Sequence, residues 1–255
     1  MPLELVTIPC RTDNYAYLLH DAGSGKTAVV DVPDAAPILA ALAARQWALT
    51  DILITHHHGD HIDGIPDLRA ATGAAVWGAA ADAHRLPPLD HALRESDTVQ
   101  IGADAAVVID VPGHTVGHIA FHFPDARLAF TADSLMAAGC GRLFEGTPAQ
   151  MWASLCKLGR LPPETLICSG HEYTQSNLRF ALSLEPDNPA LMSRSASVAA
   201  ARAKNLPTVP SRLSDELATN PFLRVHLPQM KALVGMPDAP EAEVFGEIRA
   251  RKDRF

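Results

Sequence analysis

The run Thr55-His56-His57-His58-Gly59-Asp60-His61 constrains this chain more than any other segment. It follows an apolar stretch at residues 51–54 that reads as a buried strand, so its side chains leave from a rigid edge. Alternate side chains on extended chain share a face, which lets His56 and His58 grip one ion while His57 points away. Gly59 then offers the backbone freedom for a sharp turn, sending Asp60 and His61 toward a second ion. A coincidental polar loop is the weaker reading, because imidazoles and a carboxylate buried without partners are costly.

The surrounding pattern is of short strands that end on metal-ligating side chains. Apolar strands are expected at 16–19 and 28–32, joined through the turn Asp21-Ala22-Gly23-Ser24-Gly25, and at 74–77, 105–111, 119–123, 128–131 and 165–168. Helices are expected at 37–45, 65–72 and 148–159, the last capped by Thr147 with Pro148 in its first turn. Strand ends near 55, 111, 131 and 169 each deliver His or Asp, and ligands on loops at a sheet edge can converge. From residue 172 the composition turns helical, with helices at 173–184 and 190–204, an Asn188 cap, a proline-broken stretch at 206–228 and a last helix at 242–251. The expected division is therefore a domain at 1–171 and a helical appendage at 172–255.

A metal ion that activates water keeps one coordination position open, so about three protein ligands per ion are expected. His56, His58 and His114 are assigned to one metal and Asp60, His61 and His171 to the other, with Asp133 bridging. By spacing alone, His114 in Pro112-Gly113-His114-Thr115 could equally satisfy local backbone groups. The donor mixture suits zinc first, and also iron or manganese.

Charge and cysteine usage narrow the context. A net charge of -8 disfavours a nucleic-acid partner. Cys10, Cys140, Cys156 and Cys168 are widely spaced with no Cys-x-x-Cys pair, so they are read as reduced thiols. The stretch from Met1 to Val6 lacks the basic start and apolar core of a secretory signal, and no later segment is apolar for long enough to span a bilayer. A soluble, cytoplasmic, monomeric protein with no membrane partner is expected.

Thr-His-His-His-Gly-Asp-His at 55–61, Pro-Gly-His-Thr-Val-Gly-His at 112–118, Thr-Ala-Asp at 131–133 and Gly-His-Glu-Tyr-Thr at 170–174 resemble the metallo-β-lactamase superfamily in order and spacing. The resemblance implies an α/β fold, an αββα sandwich with a C-terminal α-helical domain, and metal-ligand roles for His114, Asp133 and His171. Within the superfamily, Gly139-Cys140-Gly141-Arg142, Glu145-Gly146-Thr147, Asn220-Pro221-Phe222-Leu223-Arg224 and the tail from Arg249 to Phe255 are similar to glyoxalase II, nearly end to end.

That likeness implies cleavage of S-D-lactoylglutathione, and other 2-hydroxyacylglutathiones, to glutathione and D-lactate, the second step of methylglyoxal detoxification. The expected nucleophile is a hydroxide bridging two divalent ions, its pKa brought toward neutrality by them, with Asp60 and Asp133 orienting it. It further implies that Arg142, Phe144, Tyr173, Arg249 and Lys252 face the glutathione thioester, whose two carboxylates suit Arg and Lys. Read alone, Arg249 and Lys252 equally fit solvated cations complementing a helix C-terminus. Arg142 and Phe144 stand where the family commonly has lysine and tyrosine, and Gly59 where a bulkier residue is frequent. The alternatives are a mononuclear-iron glutathione persulfide dioxygenase of the same superfamily and a non-catalytic glutathione- or metal-binding module. Metal content, oxygen uptake and a thioesterase assay separate them.

Overall fold

The computed structural model describes residues 3–255; Met1 and Pro2, which open the N-terminal stretch read above, lie outside the described residues. The chain forms two compact units, one of Met1–Asp110 with Gly117–Thr131, the other of Val111–Val116 with Ala132–Phe255.

In the first unit the leading sheet contains β1 (Glu4–Cys10), β2 (Asn14–His20), β3 (Thr27–Val30), β4 (Asp51–Leu53), β5 (Ala75–Ala79) and β6 (His91–Leu93), side by side in that order. The β1, β2 and β3 pairings are antiparallel, with Leu18 opposite Val29 across the turn predicted at 21–25. From β3 to β6 the strands are parallel, and parallel neighbours need crossover connections. Helix α1 (Ala35–Arg45) supplies the first; α2 (Gly59–Ile62) and α3 (Ile65–Thr72) supply the second.

Strand alternation decides what faces what. Ala16, Leu18, Val29, Ile52 and Val76 form a core with Ile38 and Leu42 of α1 and Ile65 and Leu68 of α3. Tyr17 points the other way and meets Phe130 edge-on at 5.5 Å. Phe130 lies on β10 (Leu128–Ala132), last of the antiparallel run β7 (Thr98–Ile101), β8 (Asp104–Asp110), β9 (Ile119–Phe123), β10. The central strands of the leading sheet are thus covered on both faces, which is why they read as unbroken apolar runs.

In the second unit β11 (Leu135–Met136) and β12 (Gly139–Cys140) make a small hairpin. Helix α4 (Pro148–Leu158) follows; its N-cap Thr147 and Gln150 form a reciprocal capping box. Strand β13 (Leu166–Ser169) leads into α5 (Thr174–Leu184) and α6 (Pro189–Arg202), where Asn188 accepts from the Ala190 and Leu191 amides as its position predicts. The stretch at 206–228, expected to be merely proline-broken, contains β14 (Ser211–Arg212), paired with β13, then α7 (Leu213–Thr219) and a short 3-10 turn. Helix α8 (Pro228–Leu233) and the long α9 (Glu241–Arg254) complete the unit. Leu178, Ala181, Leu191 and Val198 cement α5 to α6, and Phe245 of α9 packs against Trp152 of α4 and Phe222. Among the described residues no helix is long and apolar enough to cross a membrane.

Candidate metal centre

In the first unit the histidine run is fastened before it turns. The Thr55 amide and hydroxyl both donate to the buried Asp31, at 2.9 and 2.8 Å, and the Ile119 amide donates to the Thr55 carbonyl at 3.0 Å. His56 is fully buried, with Thr55 Oγ1 3.0 Å from its Nδ1 and His118 stacked on it at 4.6 Å. The His58 ring stands edge-on to His56 at 4.8 Å. His57 turns away, as alternation predicts, and its Nδ1 lies 3.1 Å from Asp82, which also receives Arg85.

The next two candidate ligands lie in a helical turn. Gly59 begins α2 and is absent from the left-handed region, so conformational freedom is not its role. A Cβ at Gly59 would stand 2.8 Å from the Asp63 carboxylate, which pairs with Arg11. The missing side chain leaves room for that ion pair, and this replaces the turn freedom expected from sequence. His61 is fully buried and its Nδ1 lies 2.8 Å from Asp31 Oδ2. A carboxylate at Nδ1 sets the tautomer and leaves Nε2 as the nitrogen free of the proton. Asp60 Oδ2 is 3.8 Å from that Nε2 and accepts from Asn14 Nδ2 at 3.0 Å. Asp31, His56 and His61 offer donor atoms within 4.8 Å of one another.

The second unit gathers a set of its own. One oxygen of Asp133, Oδ2, faces His114 Nε2 at 3.4 Å and His171 Nε2 at 3.3 Å. His114 Nδ1 lies 2.8 Å from the Arg142 carbonyl, which again leaves Nε2 as the outward nitrogen. Gly113 has φ +155, and a Cβ there would strike Met151 of α4 at 2.7 Å, so the His114 loop passes flush against that helix. Tyr173, partly exposed, stacks on His171 at 4.6 Å, and the exposed Phe144 stands edge-on to His114 at 5.3 Å.

The basic residues near the C-terminus are not solvated cations at a helix end. Arg249 is buried; it donates to the Cys140 carbonyl at 3.0 Å and to Asp253 at 2.9 Å, with its guanidinium over Phe222. Asp253 lies 3.4 Å from the exposed Arg142. Lys252 Nζ sits between the Phe180 and Phe255 rings, 3.3 Å from the Ser176 carbonyl. Burial, then repulsion from Arg249 and Arg179, lower its pKa to about 8.

A family model described as the hydroxyacylglutathione hydrolase C-terminus matches residues 172–255, and one described as the metallo-beta-lactamase superfamily matches 12–171. The hydroxyacylglutathione hydrolase of Fuscovulum blasticum is 69% identical over 255 residues, covering 100% of both chains. This chain belongs to the hydroxyacylglutathione hydrolase family. Its fold is the metallo-β-lactamase fold with a helical C-terminal region, as its motifs implied. A B3 metallo-beta-lactamase, BLEG-1, shares that fold at TM-score 0.68 and 22% identity, covering 86% of this chain and 99% of its own. TTHA1623, solved in a di-iron-bound form, is 30% identical over 66% of this chain and 91% of its own, at TM-score 0.55.

Sequence reasoning missed Asp31, Asn14 and Asp82, which hold the histidine run and Asp60. Asp31 left a signal, a lone carboxylate directly after the apolar run Ala28-Val29-Val30. Asn14 and Asp82 left none, because their contacts lie 46 and 25 residues away along the chain.

Proposed function

We propose that this chain hydrolyses S-D-lactoylglutathione and other 2-hydroxyacylglutathiones to glutathione and the 2-hydroxy acid, the second step of methylglyoxal detoxification. The observation that carries the reading is a single Asp133 oxygen facing two imidazole Nε2 atoms. It occurs in a chain 69% identical from end to end to a hydroxyacylglutathione hydrolase. Like its relatives, the chain is a thioester hydrolase.

The donor chemistry fits divalent metal. Both Asp31-oriented His61 and carbonyl-oriented His114 direct Nε2 outward, the arrangement that metal-ligating histidines adopt. In our assignment His56, His58 and His114 hold one ion, Asp60, His61 and His171 the other, and Asp133 is shared. Zinc is the first candidate, with iron and manganese matched by the same donors. Bound there, the ions supply Lewis-acid charge for the carbonyl and make water acidic enough to be a nucleophile near neutral pH.

The remaining work belongs to side chains. Asp60 and Asp133 accept the attacking water's hydrogen bond and aim its lone pair at the thioester carbon. As the new C–O bond forms, the water gives up its proton to solvent; the C–S bond then breaks and the electron pair leaves on sulfur. A thiolate is a good leaving group, so a dedicated acid is not assigned. Arg142 and Lys252 offer charge-assisted hydrogen bonds to the glutathione carboxylates, while Phe144 and Tyr173 flank the substrate. Arg249 contributes through Asp253 and the Cys140 carbonyl, which it holds. In this reading residues 1–171 carry the chemistry and 172–255 the glutathione side, in a monomeric cytoplasmic enzyme. The net charge of -8 suits a small substrate better than a nucleic acid.

Elemental analysis coupled to S-D-lactoylglutathione hydrolysis tests the reading. Two divalent ions per chain with turnover are expected, and His56→Ala should lose metal and turnover together. Full turnover by metal-free protein rejects it.

A further inference from the structure

The β11–β12 hairpin is held far more firmly than its size requires. A two-stranded hairpin is marginal alone, yet five backbone groups between Met136 and Cys140 are met by buried side chains from the helical region. Asn220 Nδ2 donates to the Met136 and Gly139 carbonyls at 3.1 and 2.9 Å. Asn177 Nδ2 donates to the Ala137 carbonyl at 3.0 Å, and the Ala138 amide donates to Glu216 at 2.7 Å. Arg249 takes the Cys140 carbonyl at 3.0 Å. Glu216 is itself fully buried and held by Ser211 and Arg194.

The feet of the hairpin stand at the candidate centre. Asp133 comes two residues before Leu135, and Arg142, whose carbonyl meets His114 Nδ1, two residues after Cys140. The Gly141 amide donates to the Ser134 carbonyl at 3.1 Å and closes the two feet together. A Cβ at Gly141 would lie 1.9 Å from the Asp133 carbonyl and 3.0 Å from His114 Nδ1, so this strand runs flush against both ligands.

The geometry points to this hairpin as a rigid arm through which Asn220, Asn177, Glu216 and Arg249 position Asp133 and His114 for metal binding. Asn220, which grips two carbonyls, is the principal positioning residue. The residues that grip the arm act through it, so their effect is on ligand orientation, where groups behind metal ligands exert about 10–100-fold effects on affinity. The inference rests on the metal reading above.

The test measures zinc affinity of the full chain by competition with a chromophoric chelator, together with the visible absorption of the cobalt(II)-loaded protein, which reports ligand geometry. Asn220→Ala is expected to weaken zinc binding about ten-fold and to change the cobalt bands. Leu42→Ala, in the α1 core of the first unit and in a cluster that includes no hairpin residue, should lower Tm while leaving affinity and bands as in the parent. Parental affinity and bands in Asn220→Ala overturn the inference, as does an equal loss of affinity in Leu42→Ala. If Asn220→Ala fails to fold, Asn177→Ala, which frees one carbonyl, takes its place with a smaller expected loss of affinity, and an unchanged affinity overturns the proposal. His114→Ala separates the two readings. Loss of metal there with parental affinity in Asn220→Ala sinks the arm alone, whereas metal retention in His114→Ala sinks the metal assignment and the arm with it.

Discussion

At the scale of single residues, Lys252 makes the clearest prediction. With a pKa lowered to about 8 by burial first, it loses its proton as pH rises through that value. If its charge holds a glutathione carboxylate, kcat/KM, which reports the free enzyme, should fall above about pH 8. Lys252→Met should lower kcat/KM and abolish that limb; a limb that survives belongs to another group. The stability sign is opposite. A folded pKa below the ordinary 10.5 means the unfolded chain binds more protons between the two values, so Lys252 makes stability rise with pH across that window. The alternation along the histidine run, with His57 turned aside to Asp82, was legible because a strand exit has period two. The reason for Gly59 was not, since the group it makes room for, Asp63 with Arg11, is defined only by packing.

Among elements, α4 links local sequence to the centre. Its capping box begins at Thr147, its Ser154 hydroxyl donates to the Pro112 carbonyl at 2.7 Å, and its Met151 backs Gly113. Thr147→Ala should therefore destabilise by about 1 kcal/mol, the ordinary cost of a lost N-cap, and a chemical-denaturation midpoint will show it. An unchanged midpoint would mean that packing of α4 on α9, not the cap, decides where the helix starts. Helices with caps and unbroken strands were readable in advance for the same physical reason: each carries its own signal. Strand β1 was not, because Pro9 and its partly exposed residues hide the apolar pattern until Leu5 pairs with Leu19. Helix α7 hid inside a proline-rich stretch, where Glu216 is buried only because Arg194, Ser211 and the Ala138 amide reach it.

For the whole molecule, the proposed ligands are spread from residue 56 to residue 171, so an unfolded chain holds them far apart, while folding gathers His56 with His61 in one unit and His114 and His171 around Asp133 in the other. A metal that binds the folded form alone adds RT ln(1 + [metal]/Kd) to stability, about 4 kcal/mol at a thousand-fold excess over Kd. Chelated protein should accordingly unfold at a lower Tm than metal-loaded protein, with the difference growing as free zinc is raised and vanishing when Asp133→Ala removes the shared ligand. Differential scanning calorimetry across a zinc titration measures it. A Tm indifferent to zinc in the parent chain would show that the histidine-rich strand exits, which constrain the sequence most, are held by Asp31, Asp82 and backbone groups without a metal's contribution.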